Sequence, residues 1–341
     1  DINLFRMQIN YLKRKGYYAC DWKELELHIN GTKRLPKKTV MFHFDDGFLD
    51  NWSVVFPIMK EANFKYSVLI TPEFIQKEKE PRKFVSKTNN ANLSDWWGYL
   101  NEGEIKSMAE SGLVDFQSHA YSHTWYPCSD QLQDVYTGDE FYPHIHWNQH
   151  VDKKPYWLGK LNELSVNKGY PVFEYKKSLV LDRAFVPNEE FIRESLNIYD
   201  SHLSKQENLY KLNELRAKFS SQGRLGVYET KQDAHNRIKK ELLSARLRIA
   251  EISGKPCNYI VFPGGSINPK LLDTYKEFGY KLISKGSNIN SFNSQNYQVL
   301  RQSGVYTFPI FNRYLNLLFL KAQLLKGSGN ELMAKIIGIF R

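Results

Sequence analysis

Thr39-Val40-Met41-Phe42-His43-Phe44-Asp45-Asp46-Gly47 is the stretch that decides the fold. A β-branched and aromatic run, bounded by the Pro36-Lys37-Lys38 turn and an Asp-Asp-Gly turn, predicts a short buried strand that hands its acidic pair to the following loop. Working outward, Trp52, Val55, Phe56 and Met59 recur at helical spacing, and residues 66–71 read as a second strand, giving a β-loop-α-β unit. The pattern repeats with a helix over 102–111, a stop at Gly112 and a strand over 113–118 that delivers His119. It repeats again late in the chain: a long amphipathic helix over 237–252, a strand over 258–262, the turn Pro263-Gly264-Gly265, a helix over 268–278 and a strand over 280–284. Upstream, Leu4, Ile9 and Leu12 mark a helix that runs through Lys13-Arg14-Lys15 to Gly16, and another helix starts near Asp21. Alternating strands and helices imply a largely parallel α/β sheet or barrel.

Two segments fall outside this pattern. Residues 125–232 are aromatic, charged and rich in His, including Tyr142-Pro143-His144-Ile145-His146-Trp147, without clean periodicity. They read as a long, irregular insertion over the barrel mouth, either a lid or binding surface or a decoration. Residues 311–341 set Leu315, Leu317, Leu318, Phe319 and Leu320 among Lys321, Lys326, Lys335 and Arg341, a basic amphipathic helix pair suited to a membrane surface, a partner or its own domain.

Composition narrows the class. With 341 residues, 42% of them hydrophobic and 14% aromatic, the chain buries a substantial core as one large domain with insertions or as two. A net charge of +10 favours an acidic polymer, a nucleic acid or an anionic membrane as neighbour, but no aromatic-basic nucleic-acid module is present, so no nucleic-acid partner is expected. Cys20, Cys128 and Cys257 lie far apart without metal spacing and give no disulfide framework. No apolar run of about 18 residues predicts a membrane-spanning helix. The chain opens on Asp1-Ile2-Asn3 without an initiator Met, which leaves open a removed signal or anchor segment, and a location in bacterial cytoplasm or cell envelope.

Three polar clusters follow strands directly: Asp45-Asp46-Gly47, His119 with His123, and Pro263-Gly264-Gly265. In a (β/α) barrel the C-terminal strand ends share one face, so these clusters are expected to converge. Two imidazoles four residues apart suit a borderline cation such as zinc, with a carboxylate as third ligand. Adjacent carboxylates repel unless a cation or proton separates them, so one Asp as ligand and the other as a base resolves the conflict. The competing reading is a helix-capping turn assisted by Asp50.

These residues resemble the polysaccharide deacetylases of the NodB-homology type, carbohydrate esterase family 4. Phe44-Asp45-Asp46-Gly47 is similar to the family's first motif, with His43 where Thr is usual, and Ser118-His119-Ala120-Tyr121-Ser122-His123-Thr124 to its second, with Ala120 replacing a hydroxyl residue. Phe262-Pro263-Gly264-Gly265 resembles a later turn in which an aromatic usually stands at the position of Gly264. The resemblance covers roughly residues 1–125 and 230–305. It implies a distorted (β/α) barrel over 1–310; the insertion at 125–232 and the amphipathic basic helical tail over 311–341 lie outside the resemblance. It further implies a divalent metal, zinc first and cobalt, nickel or manganese as alternatives, on Asp46, His119 and His123. Asp45 is then the general base, and Pro263, Gly264 and Gly265 contact substrate, a backbone N–H near Gly264 receiving the developing oxyanion. The implied activity is removal of acetyl groups from N-acetylated amino sugars of a polysaccharide or its precursor, the carbohydrate being anionic or lipid-linked in some versions. The alternatives are a non-catalytic glycan-binding or assembly protein on the same fold, and a hydrolase of another amide or ester.

One departure matters. The family commonly supplies a late His as general acid, yet no His follows His235 here. His144, His146 and His150 are the candidates in the insertion, Asp45 can return the proton it takes, and His43 reads as a buried neighbour of Asp45. Arg183 and Arg301 are further candidates for orienting the base or an anionic sugar.

Overall fold

Short strands apolar on both faces must be covered on both, which favours a parallel sheet flanked by helices. The computed structural model describes residues 1–84, 97–158, 166–266, 268–271, 274–286, 298–301, 312–327, 330 and 332. Among the described residues, six strands form one sheet: β1 His43–Phe44, β2 Tyr66–Ile70, β3 Val114–Ser118, β4 Tyr259–Val261, β5 Leu282–Gly286 and β6 Gln298–Arg301. Their order across the sheet follows their order in the chain and every neighbouring pair is parallel. This is the curled wall of a distorted (β/α) barrel, as expected. Ser118 of β3 sits opposite both Ile70 of β2 and Ile260 of β4. The C-terminal ends are therefore aligned, and the segments leaving β1, β3 and β4 emerge along one rim.

β2 is buried along its whole length and shows how both faces are used. Tyr66, Val68 and Ile70 pack into the core shared with Met59, Ile105 and Met108, while Leu69 turns to the opposite face with Trp22, Tyr259 and Val261. The helix Trp22–Ile29 closes that second face, opened by a capping box between Asp21 and Glu24. Trp22 stacks between His43 and Tyr259, with ring centroids 4.8 and 5.2 Å away. His43 is thereby a packing residue of the inner face.

Several elements differ from the sequence reading. The strand expected over 39–44 is divided: Thr39–Val40 pairs with Tyr18–Ala19, and only His43–Phe44 joins the main sheet. The helix carrying Trp52 and Met59 opens with a π turn, Asn51–Val55, before Phe56–Ala62. Pro57 has no N–H to give Ser53, so the regular ladder cannot form there. The long helix expected over 237–252 is Lys231–Lys239, a π turn at Lys240–Ser244, and Ala245–Ser253. Within the span 268–278 expected as a helix, the described residues form the turn Pro269–Leu271 and the short helix Thr274–Glu277.

The insertion is not irregular. Trp125–Val135 pairs antiparallel with Pro171–Lys177, Phe185–Pro187 pairs with Gly226–Tyr228, and the helices Glu189–Ile198 and Lys205–Ser221 pack on them. Phe173, Phe191, Leu212 and Phe219 form a core of their own. At the other end of the chain, Arg313–Gly327 lies along the first helix, Ile2–Arg14: Arg313 pairs with Asp1 at 2.9 Å, Lys321 sits 5.2 Å from the Tyr11 ring, and Leu320 is buried. The second helix of the expected tail pair falls outside the described residues. No described helix is long and apolar enough to cross a membrane. All three cysteines are free thiols.

Candidate metal centre

The rim of the wall gathers acids and imidazoles. After β1 the chain turns sharply at Asp46 and Gly47, with φ of 67° and 72°. Gly47 is required there: a Cβ would lie 2.9 Å from Ile70 Cγ2 in a backbone region that L-residues avoid. His119 follows β3 directly, and its ring Nδ1 lies 2.7 Å from the carbonyl of Val261 on β4. A carbonyl can only accept, so Nδ1 carries the proton and Nε2 presents its lone pair, the arrangement a metal-ligating His requires. Nε2 of His119 lies 3.4 Å from Asp46 Oδ1, and Nε2 of His123 lies 3.5 Å from the same oxygen. One donor atom from each of the three residues falls within 4.8 Å of the others. Burial of His119 pushes its pKa down, outweighing the carboxylates of Asp45 and Asp46, which pull the other way. The ring is held neutral, the form in which imidazole donates to a cation. Asp45, half-buried, follows β1 ahead of this cluster. Asp50 makes no side-chain cap to the helical turn it precedes, so the capping reading of this segment finds no support there.

The segment between the two imidazoles is bent and braced. Ala120 and His123 both take positive φ, 63° and 50°. Glu241, delivered by the π turn, accepts the N–H groups of Tyr121 and Ser122 at 3.0 Å each and the Ser122 hydroxyl. Lys154, from the insertion, donates to the Ser122 carbonyl at 2.9 Å and to Glu73 at 2.6 Å. Thr71 Oγ1 donates to the His119 carbonyl at 3.2 Å. None of Glu73, Lys154 or Glu241 was singled out by sequence. Glu241 offered a usable sign, since it lies four residues before Ala245 and eight before Ile249 on the buried stripe of its helix.

The third cluster joins the same cleft, which Pro263 lines together with Ala120, His123, Lys177 and Glu241. Gly264 adopts φ 58° and ψ 25°, and Lys177 Nζ stands 3.4 Å from its carbonyl, in the space a side chain at 264 would need. From the insertion, Trp147 meets the His123 ring edge-on at 6.3 Å. Two of the candidate acids from the insertion pack against aromatic rings. His144 packs on Trp125 and Tyr175, which burial accompanies by pushing its pKa down to about 4, and His146 packs against Tyr136 and Trp157. His150 caps the helix Pro143–Gln149, its backbone N–H bonded to the His146 carbonyl. Arg183 is spent on the carbonyls of Tyr228 and Glu229. The side chain of Arg301 lies outside the described residues.

A parallel α/β wall with a carboxylate and two imidazoles at its C-terminal rim defines a distorted barrel whose donor set suits a divalent cation. The family model for polysaccharide deacetylase matches residues 32–156, the stretch that carries Asp45, Asp46, His119 and His123. YxkH of Bacillus subtilis (strain 168), provisionally named a polysaccharide deacetylase, is 24% identical over 119 residues, which are 35% of this chain and 36% of that protein. The poly-beta-1,6-N-acetyl-D-glucosamine N-deacetylase of Escherichia coli (strain K12) is 23% identical over 201 residues, 57% of this chain and 25% of that protein. The matches thus span about a third and a quarter of these curated relatives. Among solved structures, a de-N-acetylase from Aggregatibacter actinomycetemcomitans shares the fold, with a TM-score of 0.52 at 17% identity over 88% of this chain and 83% of that one.

Proposed function

We propose that this chain is a divalent-metal-dependent hydrolase that removes acetyl groups from N-acetylated amino sugars of a polysaccharide or its precursor. The observation that carries the reading is the convergence of Asp46, His119 and His123 within 4.8 Å, from loops 73 and more residues apart, with a second aspartate adjoining them. A carboxylate and two imidazoles, one held in its tautomer by the Val261 carbonyl, fit zinc, with cobalt, nickel and manganese as alternatives. When bound, such an ion supplies Lewis-acid polarisation of the acetamide and activation of a hydrolytic water.

The chain's own residues divide the remaining work. Asp46, His119 and His123 hold the ion; Asp45 takes the proton of the attacking water. Pro263, Gly264 and Gly265 contact the substrate, and a backbone N–H near Gly264 receives the developing oxyanion, that of Gly265 being donated to the Phe262 carbonyl at 2.8 Å. His144 and His146 pack against aromatic rings, and Asp45 can return the proton it takes to the leaving amine.

The test is acetate release from N-acetylglucosamine oligosaccharides by the metal-loaded chain, repeated after chelation and with Asp45→Asn. Activity that disappears on chelation, returns with added zinc and drops at least a hundredfold in the variant supports the reading. Release that persists in both controls overturns it. Tight glycan binding without turnover under any divalent metal identifies a glycan-binding protein instead, and cleavage confined to other amides or esters identifies the rival hydrolase.

A further inference from the structure

The cleft beside the candidate centre, lined also by Glu241, holds an ammonium with no direct ion-pair partner among the described residues. Lys154 and Lys240 both pair with Glu73, at 2.6 and 2.7 Å. Lys177 lines the same cleft as His123 and Pro263, yet has no ion-pair partner among the described residues. Its ammonium is positioned by neutral groups alone: the Gly264 carbonyl at 3.4 Å and the face of Trp125, whose ring centroid is 5.8 Å away. Gly264 makes that position available, because a Cβ there would collide with Nζ.

We propose that Lys177 is a specificity-determining residue that gives the site a preference for a glycan bearing a carboxylate or phosphate next to the N-acetylated sugar. An ammonium has three N–H donors, and the Gly264 carbonyl takes one. Charge-assisted hydrogen bonds are roughly twice as strong as neutral ones, so an acidic substituent gains most from the others. The chain's net charge of +10 acts in the same direction at longer range. This inference rests on the glycan-hydrolase reading for where the acetamide lies, but binding tests it apart from catalysis.

Calorimetric titration at low salt compares a neutral probe, chitotetraose, with an acidic one, a hyaluronan tetrasaccharide. The wild-type chain should bind the acidic probe about tenfold more tightly, and Lys177→Met should abolish that difference while leaving neutral affinity within about twofold. Gly264→Ala, which displaces the ammonium without removing it, should likewise abolish the acidic preference, read as the ratio of the two affinities, and adding it to Lys177→Met should leave that ratio unchanged. Lys177→Arg should keep the preference. Equal affinity of the wild-type chain for both probes, or an acidic preference that survives Lys177→Met, overturns the assignment. Acetate release measured in parallel separates the two ideas: turnover without acidic preference removes the role of Lys177 alone, and acidic preference without turnover removes the hydrolase alone.

Discussion

Replacing Glu241 should damage both stability and the cation site, because one buried carboxylate holds the loop between the two imidazoles. Glu241 is 2% exposed and accepts two backbone N–H groups at 3.0 Å as well as the Ser122 hydroxyl. Hydrogen bonds to a charged group contribute about 1.5–3 kcal/mol each, and a buried donor left without a partner costs about 1–3 kcal/mol. Glu241→Ala orphans the N–H of Ser122, which is itself buried, and exposes that of Tyr121 to whatever water can enter. Together these terms give a loss of roughly 3–5 kcal/mol. Glu241→Gln keeps one acceptor oxygen and should lose about half as much. Guanidinium unfolding of the metal-free chain measures the first effect as a lower midpoint at unchanged slope. Competition titration with a zinc chelator measures the second, an affinity drop of about 10–100-fold, the range for groups that orient metal ligands. An Ala variant within about 0.5 kcal/mol of wild type refutes the bracing argument. Stability lost with zinc affinity untouched refutes its extension to the cation site.

Other consequences are more direct. His119→Ala should leave the purified chain with less than a tenth of the wild-type zinc by elemental analysis, since it removes the donor whose tautomer the Val261 carbonyl fixes. Gly47→Ala should cost about 2–4 kcal/mol, combining about 1–2 for its φ of 72° with overpacking against Ile70, whereas Gly112→Ala, at φ 73° with no atom within 4 Å, should cost only the first part; paired denaturation curves separate the two. His144, its pKa held down at about 4 by burial, stays neutral in the folded chain while the unfolded chain takes up a proton near its ordinary value. Stability should therefore fall as pH drops from about 6.5 towards 4, by about 2 kcal/mol after discounting the partly exposed ring, and His144→Phe should flatten that limb of the pH–stability curve.

The parts legible in the sequence share a physical cause. β1, β3 and β4 are each short and followed directly by a polar or glycine-rich turn, so the residues after them stand out. Asp46 follows β1 and His119 follows β3, with His123 four residues further on, so all three were visible from the strand signals ahead of them. The insertion was illegible because its long strand, Trp125–Val135, carries register shifts after Pro127 and Leu132 that destroy alternation. Its helices did announce themselves: Ser204 and Glu207 form a capping box and Asn188 caps the helix before it. Contacts across the chain left no local trace. Glu241 reaches Ser122 over 119 residues, and Lys177 reaches Gly264 over 87. The glycine at 264 was readable as a departure from the family turn, but not the ammonium that occupies its space.

Backbone conformation gives the strongest reason to treat the rim as a functional centre rather than a capping turn. Among the described residues, four other than glycine have positive φ: Asp46, Asn63, Ala120 and His123. Asn63 ends the helix Phe56–Ala62 in the left-handed form that suits such a terminus. The other three all lie in the two loops that bring Asp46, His119 and His123 together, and each costs of order 1–3 kcal/mol. A turn that only capped a helix gains nothing from such strain, since ordinary N-caps use extended backbone. The strain is instead offset by bonds that act on these loops specifically: Glu241 on Tyr121 and Ser122, Lys154 on the Ser122 carbonyl, and the Val261 carbonyl on His119. Local preference has been overridden at the one place where three donor atoms must face each other. Their mutual approach, unfavourable for the backbone and without hydrophobic gain, makes physical sense when a cation lies between them.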